Sequence, residues 1–434
     1  MIPFLTWDEL WARREAGEAD LETIRLRVRE IIESVRRGGD AALLAWTSRL
    51  DGVKLEHPAL PRQWREQARN VSAEVRASLA KAAERIRRYH EQQRQRSWLQ
   101  TEEDGTILGQ LVRPLERVGV YVPGGRAAYP SSVLMNVIPA QVAGVREIVL
   151  VTPPHADGVS PYVLAAAELL GIEEIYCVGG AQAVAALAYG TETIRPVDKI
   201  VGPGNAYVAM AKREVFGRVG IDLIAGPSEV VVVGDGTVSP HYAACDLLAQ
   251  AEHDPMAAAI LIATDEAWAR AVQQAVEEEL ATLPRAAIAR QSLAERGGIV
   301  VVSDMDEAMA AANRLAPEHL ELLVADPWRW LPFVQHAGAV FLGSDSPEAL
   351  GDYLAGPNHV LPTSGAARFA SALSVDDFIK KTSLIAGSTK LLAAVGDDVI
   401  RLAEAEGLHA HARSVAVRQE QMTAENPAGG GEGA

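Results

Sequence analysis

The chain has little cysteine: two residues, Cys177 and Cys245, in 434. That is too few for a disulfide framework and fits a reducing compartment, so a cytoplasmic protein is expected. No apolar run reaches the roughly 18 residues that a membrane helix needs, so no spanning segment is expected. The opening MIPFLTWDEL has no basic region followed by an apolar stretch and does not read as a secretory signal. Positive charge is scarce as well. Lys and Arg number 41 against 57 Asp and Glu, for a net charge of −16, which would repel a phosphate backbone and argues against a nucleic-acid partner. A strict G-x-G-x-x-G is missing too. The stretch VGPGNAYV comes nearest, but Tyr207 stands where the third glycine belongs.

What remains is the composition of a globular chain, 48% hydrophobic and 23% charged. Its length exceeds one ordinary core, so two or three domains are expected. The first hundred or so residues read as helical, with Arg and Glu recurring through 21–37 and a polar-faced run over 72–98. From about 117 the pattern changes. GVYV, EIVLVTPP, EIYCVGG and KIVGPGN are strand-like, and Ala-rich helical stretches separate them. A second series follows: SEVVVVG, AAILIAT, GIVVVS, HLELLV and GAVFLG, with helical stretches at 239–251, 265–280 and 304–315. This β-α-β-α rhythm predicts an α/β protein with two related Rossmann-like parallel-sheet domains. After about 372 the rhythm stops, and a helical tail to 422 and a disordered end, TAENPAGGGEGA, are expected.

Four polar groups crowd the end of DLLAQAEHDP: Gln250, Glu252, His253 and Asp254. Gln250 and His253 are three apart and share a helix face, so an amide oxygen and an imidazole could hold a divalent cation. A solvated helix end is the plainer alternative. Asp352 in GDYLAGPNH and His409 and His411 in EGLHAHARS add a carboxylate and imidazoles suited to zinc. In LAPEHLELL, Glu318 and His319 stand together just before an apolar strand. That position suits proton transfer, since strand ends in open sheets border ligand crevices, although a solvated loop pair has the same local sequence. Three Gly-rich turns, VPGGRAAYPSS, VGGAQAV and VGPGNAYV, join strands to helices and could bring backbone amides to a phosphate, or be ordinary tight turns. Cys245 could suggest thiohemiacetal chemistry. It lies about 140° around the helix from Gln250, so a buried structural cysteine is expected.

Taken together, these stretches resemble the histidinol dehydrogenase family from about residue 20 to about 420. The richest is IDLIAGPSEVVVVGDGTVSPHYAACDLLAQAEHDP; GVYVPGGRAAYPSSVLMN, GGAQAVAALAYG, VGPGNAYV, NRLAPEHLEL, GDYLAGPNHVLPTSG and EGLHAHARSVAVR accompany it. The resemblance implies oxidation of L-histidinol to L-histidine via L-histidinal with two NAD+, one Zn2+ per subunit, and a homodimer that shares its active site. It implies zinc ligands at Gln250, His253, Asp352 and His411, the last from the partner's tail, with His409 as a decoy. The implied catalytic pair is Glu318, which activates water, and His319, the general base. Substrate contacts fall on Ser228, Gln250, His253, Glu318, His319, Asp352, Glu406 and His411. Nucleotide contacts fall on Tyr121, Gln182 and Asn205. AQAEHD and GPNH depart from the commoner SQAEHD and GTNH without touching these positions.

The organisation expected with this resemblance is an N-terminal helical segment, 1–24, and a discontinuous first α/β domain, 25–120 plus 230–372, bearing metal and catalytic residues. A second α/β domain, 121–229, lies on the nucleotide side; a helical tail, 373–422, reaches the partner, and 423–434 is the disordered end. Rival readings are a relative acting on another polar alcohol, such as a sulfonated diol, a zinc alcohol dehydrogenase that stops at the aldehyde, and a metal-binding scaffold without catalysis.

Overall fold

The computed structural model describes residues 1–15, 21–124, 129–224 and 226–425. The expected turn over 122–132 and the expected disordered end lie partly outside these residues. The chain divides into two compact units, Met1–Arg94 with Leu115–Phe378, and Gln95–Pro114 with Ile379–Ala434.

The first unit holds two parallel five-stranded sheets. One is built from Arg117–Tyr121, Glu147–Val151, Ile175–Tyr176, Lys199–Val201 and Gly220–Ile221; the other from Glu229–Gly234, Ala258–Ala263, Gly298–Val301, His319–Leu323 and Ala339–Leu342. Each has the spatial order third, second, first, fourth, fifth. In such a doubly wound sheet the chain reverses direction between the first and fourth strands, which leaves a crevice there. The four valines Val230 to Val233 are fully buried. A central parallel strand is covered on both faces, so it reads as a continuous apolar run and not as an alternation. The two-residue edge strand Gly220–Ile221 was not expected from sequence, being too short to carry a pattern.

Helix Leu21–Leu50, kinked at Gly39 where φ is 54°, buries Val28, Ile31, Val35 and Leu43 with Val184, Leu187 and Val208. Half of the neighbouring helix Gly180–Tyr189 is alanine, which lets another helix approach closely. Helix Ala73–Glu91 buries Ala82, Ala83 and Ile86 with Val133, Leu134 and Ile138. These two helices therefore cover the sheet that begins at Arg117, although the sequence grouped 25–120 with 230–372. The first residues behave differently: Phe4 pairs with Ile299, and Leu10 is buried against Val231 and Val300.

The second unit corrects an expectation. Trp98–Thr101, Ile107–Pro114 and Ile379–Ala386 form an antiparallel three-stranded sheet, where the sequence suggested helix before 100 and helix alone after 372. Every residue of Trp98–Thr101, and Lys380 to Ser383, is exposed. Neither strand shows the buried alternation that identifies a half-covered strand. Helices Thr389–Ala405 and His409–Glu425 complete this unit, and the second runs three residues past the expected end of the tail.

Candidate active site

Parallel pairing brings the key residues together. His319 opens its strand opposite Val230, so Glu318 comes level with Glu229. The Glu318 carboxylate accepts a hydrogen bond from the Glu229 backbone N–H at 2.9 Å. Nδ1 of His319 lies 3.2 Å from the Glu229 carbonyl oxygen. A carbonyl can only accept, so Nδ1 carries the proton and Nε2 is left with a free lone pair. A Cβ on Gly338 would come within 2.6 Å of the Glu318 carbonyl oxygen, so only glycine fits beside this turn.

This pair stands at the amino ends of its strands. The crevice rule that motivated the sequence reading concerns carboxyl ends, so here the rule does not apply. The amino edge gathers these residues for another reason. Helix Pro240–Ala251 leaves the carboxyl end of Glu229–Gly234 and returns to the amino end of Ala258–Ala263. Its last turn carries Gln250 to that edge, and the His253 backbone N–H donates to the Gln250 carbonyl at 3.2 Å. Asp352 arrives on the short helix Glu348–Tyr353, which packs on Pro240–Ala251.

Gln250 is fully buried, and among the described residues neither its Oε1 nor its Nε2 has a hydrogen-bond partner. His253 is exposed at the rim. Asp254 accepts a hydrogen bond from the Met256 backbone N–H at 2.9 Å. The charges of Asp352 and His253 both act on His319, which puts these three side chains in one neighbourhood. Ser228 hydrogen-bonds Glu318.

Burial dominates the electrostatics. It pushes the His319 imidazole down to about 4, so the ring is neutral at ordinary pH and can accept a proton. Burial first, then repulsion from Glu229 and Asp352, holds the Glu318 carboxyl well above the usual range. A raised carboxyl is a stronger base once ionised.

Sequence reasoning missed two close neighbours. Glu348 is buried, with Oε1 3.6 Å from His319 Nδ1, and its carboxyl is also raised by burial and by Asp352. One ligand atom from each of His319, Glu348 and Asp352 lies within 4.8 Å of the others. His359 places Nδ1 3.0 Å from the Asp352 carbonyl oxygen. The signals were present: Glu348 is one helical turn before Asp352, and His359 closes the quoted GPNH.

The expected nucleotide residues lie at the other sheet. Tyr121 ends its first strand, and its hydroxyl accepts from the Gly180 backbone N–H at 3.0 Å. Burial raises that phenol to about 12. Gln182 is fully buried; Nε2 donates to Asp51 at 3.3 Å, while Oε1 has no partner among the described residues. Asn205 is exposed and caps helix Ala206–Val215, accepting from Tyr207 and Val208 at 3.0 and 3.2 Å. These positions follow the first, third and fourth strands, so they occupy the carboxyl edge where a doubly wound sheet binds ligands. Gly202, with φ 111°, is needed here because a Cβ would collide with the Tyr121 carbonyl. Buried Lys212 pairs with Asp222 and donates to the Gly202 carbonyl at 3.1 Å, which fixes the turn.

Glu406 and His411 belong to the second unit. Glu406 follows the last turn of Thr389–Ala405, and His411 lies in the first turn of His409–Glu425; both are exposed, as is His409. Cys245 is exposed, contrary to the expectation of a buried cysteine, whereas Cys177 is buried. The helix of Cys245 is covered mainly on the stripe of Ala244, Leu247, Leu248 and Ala251, and Cys245 falls outside it.

A family model described as histidinol dehydrogenase matches residues 14–419. A histidinol dehydrogenase of Syntrophotalea carbinolica is 56% identical over 406 residues, 93% of this chain and 94% of that one. One from Bacillus cereus is 54% identical over 409 residues, 94% of this chain and 95% of that one. The crystal structure of histidinol dehydrogenase from Elizabethkingia anophelis aligns with a TM-score of 0.88 at 37% identity, covering 94% of this chain and 97% of that one.

Proposed function

The chain belongs to the histidinol dehydrogenase family, and on that premise we propose that it oxidises L-histidinol to L-histidine through L-histidinal with two NAD+. These are the last two steps of L-histidine biosynthesis. The observations that carry the reading to a site are the pairing of a neutral, buried His319 with Glu318 and the buried amide of Gln250, unpartnered among the described residues.

A buried polar atom left without a partner costs about 1–3 kcal/mol. Gln250 leaves two such atoms at the end of its helix, three residues before His253, and the helix of Asp352 packs on that helix. Mixed amide, imidazole and carboxylate donors suit a divalent ion such as zinc. Gln250, His253 and Asp352 would hold Zn2+, with His411 of the partner subunit as fourth ligand in a cytoplasmic homodimer. When bound, NAD+ would serve as the hydride acceptor and zinc would hold and orient the substrate.

The remaining work falls to the protein's own side chains. His319 Nε2 takes the proton of the alcohol, with Nδ1–H fixed on the Glu229 carbonyl. Glu318 takes a proton from water as it attacks the aldehyde while protonated His319 returns its proton to the carbonyl oxygen, and the neutral His319 then deprotonates the hydrate. A positioned base is typically worth about 10²–10⁴-fold. Ser228 holds Glu318, and Glu406 and His411 of the partner subunit's tail would contact the substrate's polar atoms. Tyr121, Gln182 and Asn205 receive the nucleotide, and the free Oε1 of Gln182 is suited to accept a ribose or amide hydrogen.

The test is NADH formation by the purified, zinc-loaded protein with limiting L-histidinol. Two NADH per histidinol are expected. One NADH with free aldehyde, or turnover only of another polar alcohol such as a sulfonated diol, would overturn the reading.

A further inference from the structure

Asp246 and Glu321 lie behind the site, and no part of the mechanism uses them. Asp246 is four residues before Gln250, one turn earlier on the same face of Pro240–Ala251. Glu321 follows His319 by two residues and so points to the same side of its strand. Glu321 is fully buried. Its Oε1 accepts the backbone N–H of Glu348 at 2.9 Å, the first residue of the helix that ends beside Asp352. Its Oε2 is buried, with no N–H donor in reach among the described residues, and the Asp246 carboxyl is within hydrogen-bonding distance of Glu321. Among the described residues no Lys or Arg is one of the groups whose charge acts on either carboxyl. Two carboxylates cannot hydrogen-bond unless one carries a proton.

We propose that Asp246 and Glu321 share one proton, and that this bond, with the Glu321 link to the Glu348 backbone, positions the three elements bearing the site. Those elements are the helix of Gln250, the strand of His319 and the helix of Asp352. The proposal rests on the reading above, that Gln250, His253 and Asp352 hold the metal. Burial drives both carboxyls upward, in keeping with a proton retained between them. The two residues are positioning residues, one layer behind the ligands. Supports of this kind are typically worth about 10–100-fold in metal affinity.

The experiment follows zinc loss from the purified holoenzyme to a chelator. In Glu321→Gln and Asp246→Asn an amide hydrogen replaces the shared proton, and in Glu321→Gln the new amide oxygen can still accept from the Glu348 backbone. Both variants should keep zinc nearly as long as the parent. Glu321→Met and Asp246→Leu lose the bond, and zinc should leave about 10–100-fold faster. Apolar side chains of similar volume are usually tolerated in place of buried charge, so these variants are expected to fold. Apolar variants that keep zinc like the parent would overturn the proposal. So would amide variants that release it as fast as the apolar ones, or about 10–100-fold faster than the parent, and the comparison with the parent stands even if the apolar variants do not fold. His253→Ala in the same assay tests the metal reading separately: it should hold little zinc, and full retention would remove the premise and the proposal with it.

Discussion

Replacing His319 by Asn tests whether burial keeps the ring neutral. The structure places this imidazole at about 4, against an ordinary 6.5, with desolvation as the largest cause. The unfolded chain takes up a proton as pH falls through about 6.5, while the native ring stays neutral until about 4. The native state therefore loses stability on acidification across that window and loses nothing from this group above it. Each unit is worth about 1.36 kcal/mol, and about pH 5 lies about 1.5 units below 6.5, so the loss from about pH 8 to about pH 5 is about 2 kcal/mol. His319→Asn has no such term. Its own packing change is common to both pH values and cancels in the difference. The assay is denaturant unfolding of chelator-treated parent and variant across this range. The variant should gain about 2 kcal/mol on the parent by about pH 5. A difference constant to within about 0.5 kcal/mol, the usual scatter of additivity, would refute the neutral buried imidazole and the base assigned to it.

Glu318→Gln should slow oxidation of L-histidinal more than oxidation of L-histidinol, by up to about 10²–10⁴-fold; equal slowing in transient kinetics would argue against water activation. Gln250→Met should leave the metal-free protein about 1–3 kcal/mol more stable by removing unpartnered buried atoms, while abolishing zinc binding. A less stable metal-free variant would mean the amide is satisfied without metal. Mixed dimers of an inactive His319 variant and an inactive His411 variant should regain activity if the site is shared between subunits. Heterodimers with none would place the site within one chain.

The two parallel sheets were readable because their strands are short apolar runs between Gly-marked turns and Ala-rich helices. The third sheet was not, because Lys380, Lys381, Thr382 and Ser383 are exposed and leave no pattern of burial. At the site, Gln250 and His253 were visible from their spacing, and Glu318 and His319 from their place before an apolar strand. Glu348 looks in sequence like an ordinary acidic residue opening a helix; only its burial beneath His319 gives it a role. Glu321 sits in a strand whose five residues are all buried, and nothing local distinguishes it from an exposed acid in an alternating strand. Cys245 was misplaced because thiols are usually buried, and the helix presents that position to solvent. His411 was assigned by resemblance alone, since no spacing in one chain can reveal a ligand proposed to come from a partner.

Anomalous scattering at the zinc edge from crystals of the zinc-loaded protein with L-histidinol tests the central claim most directly. The account predicts one zinc with Gln250 Oε1, a His253 nitrogen and an Asp352 oxygen at about 2.0–2.2 Å, and His319 outside the coordination sphere. Zinc bound instead by His319, Glu348 and Asp352, with Gln250 uncoordinated, would contradict it.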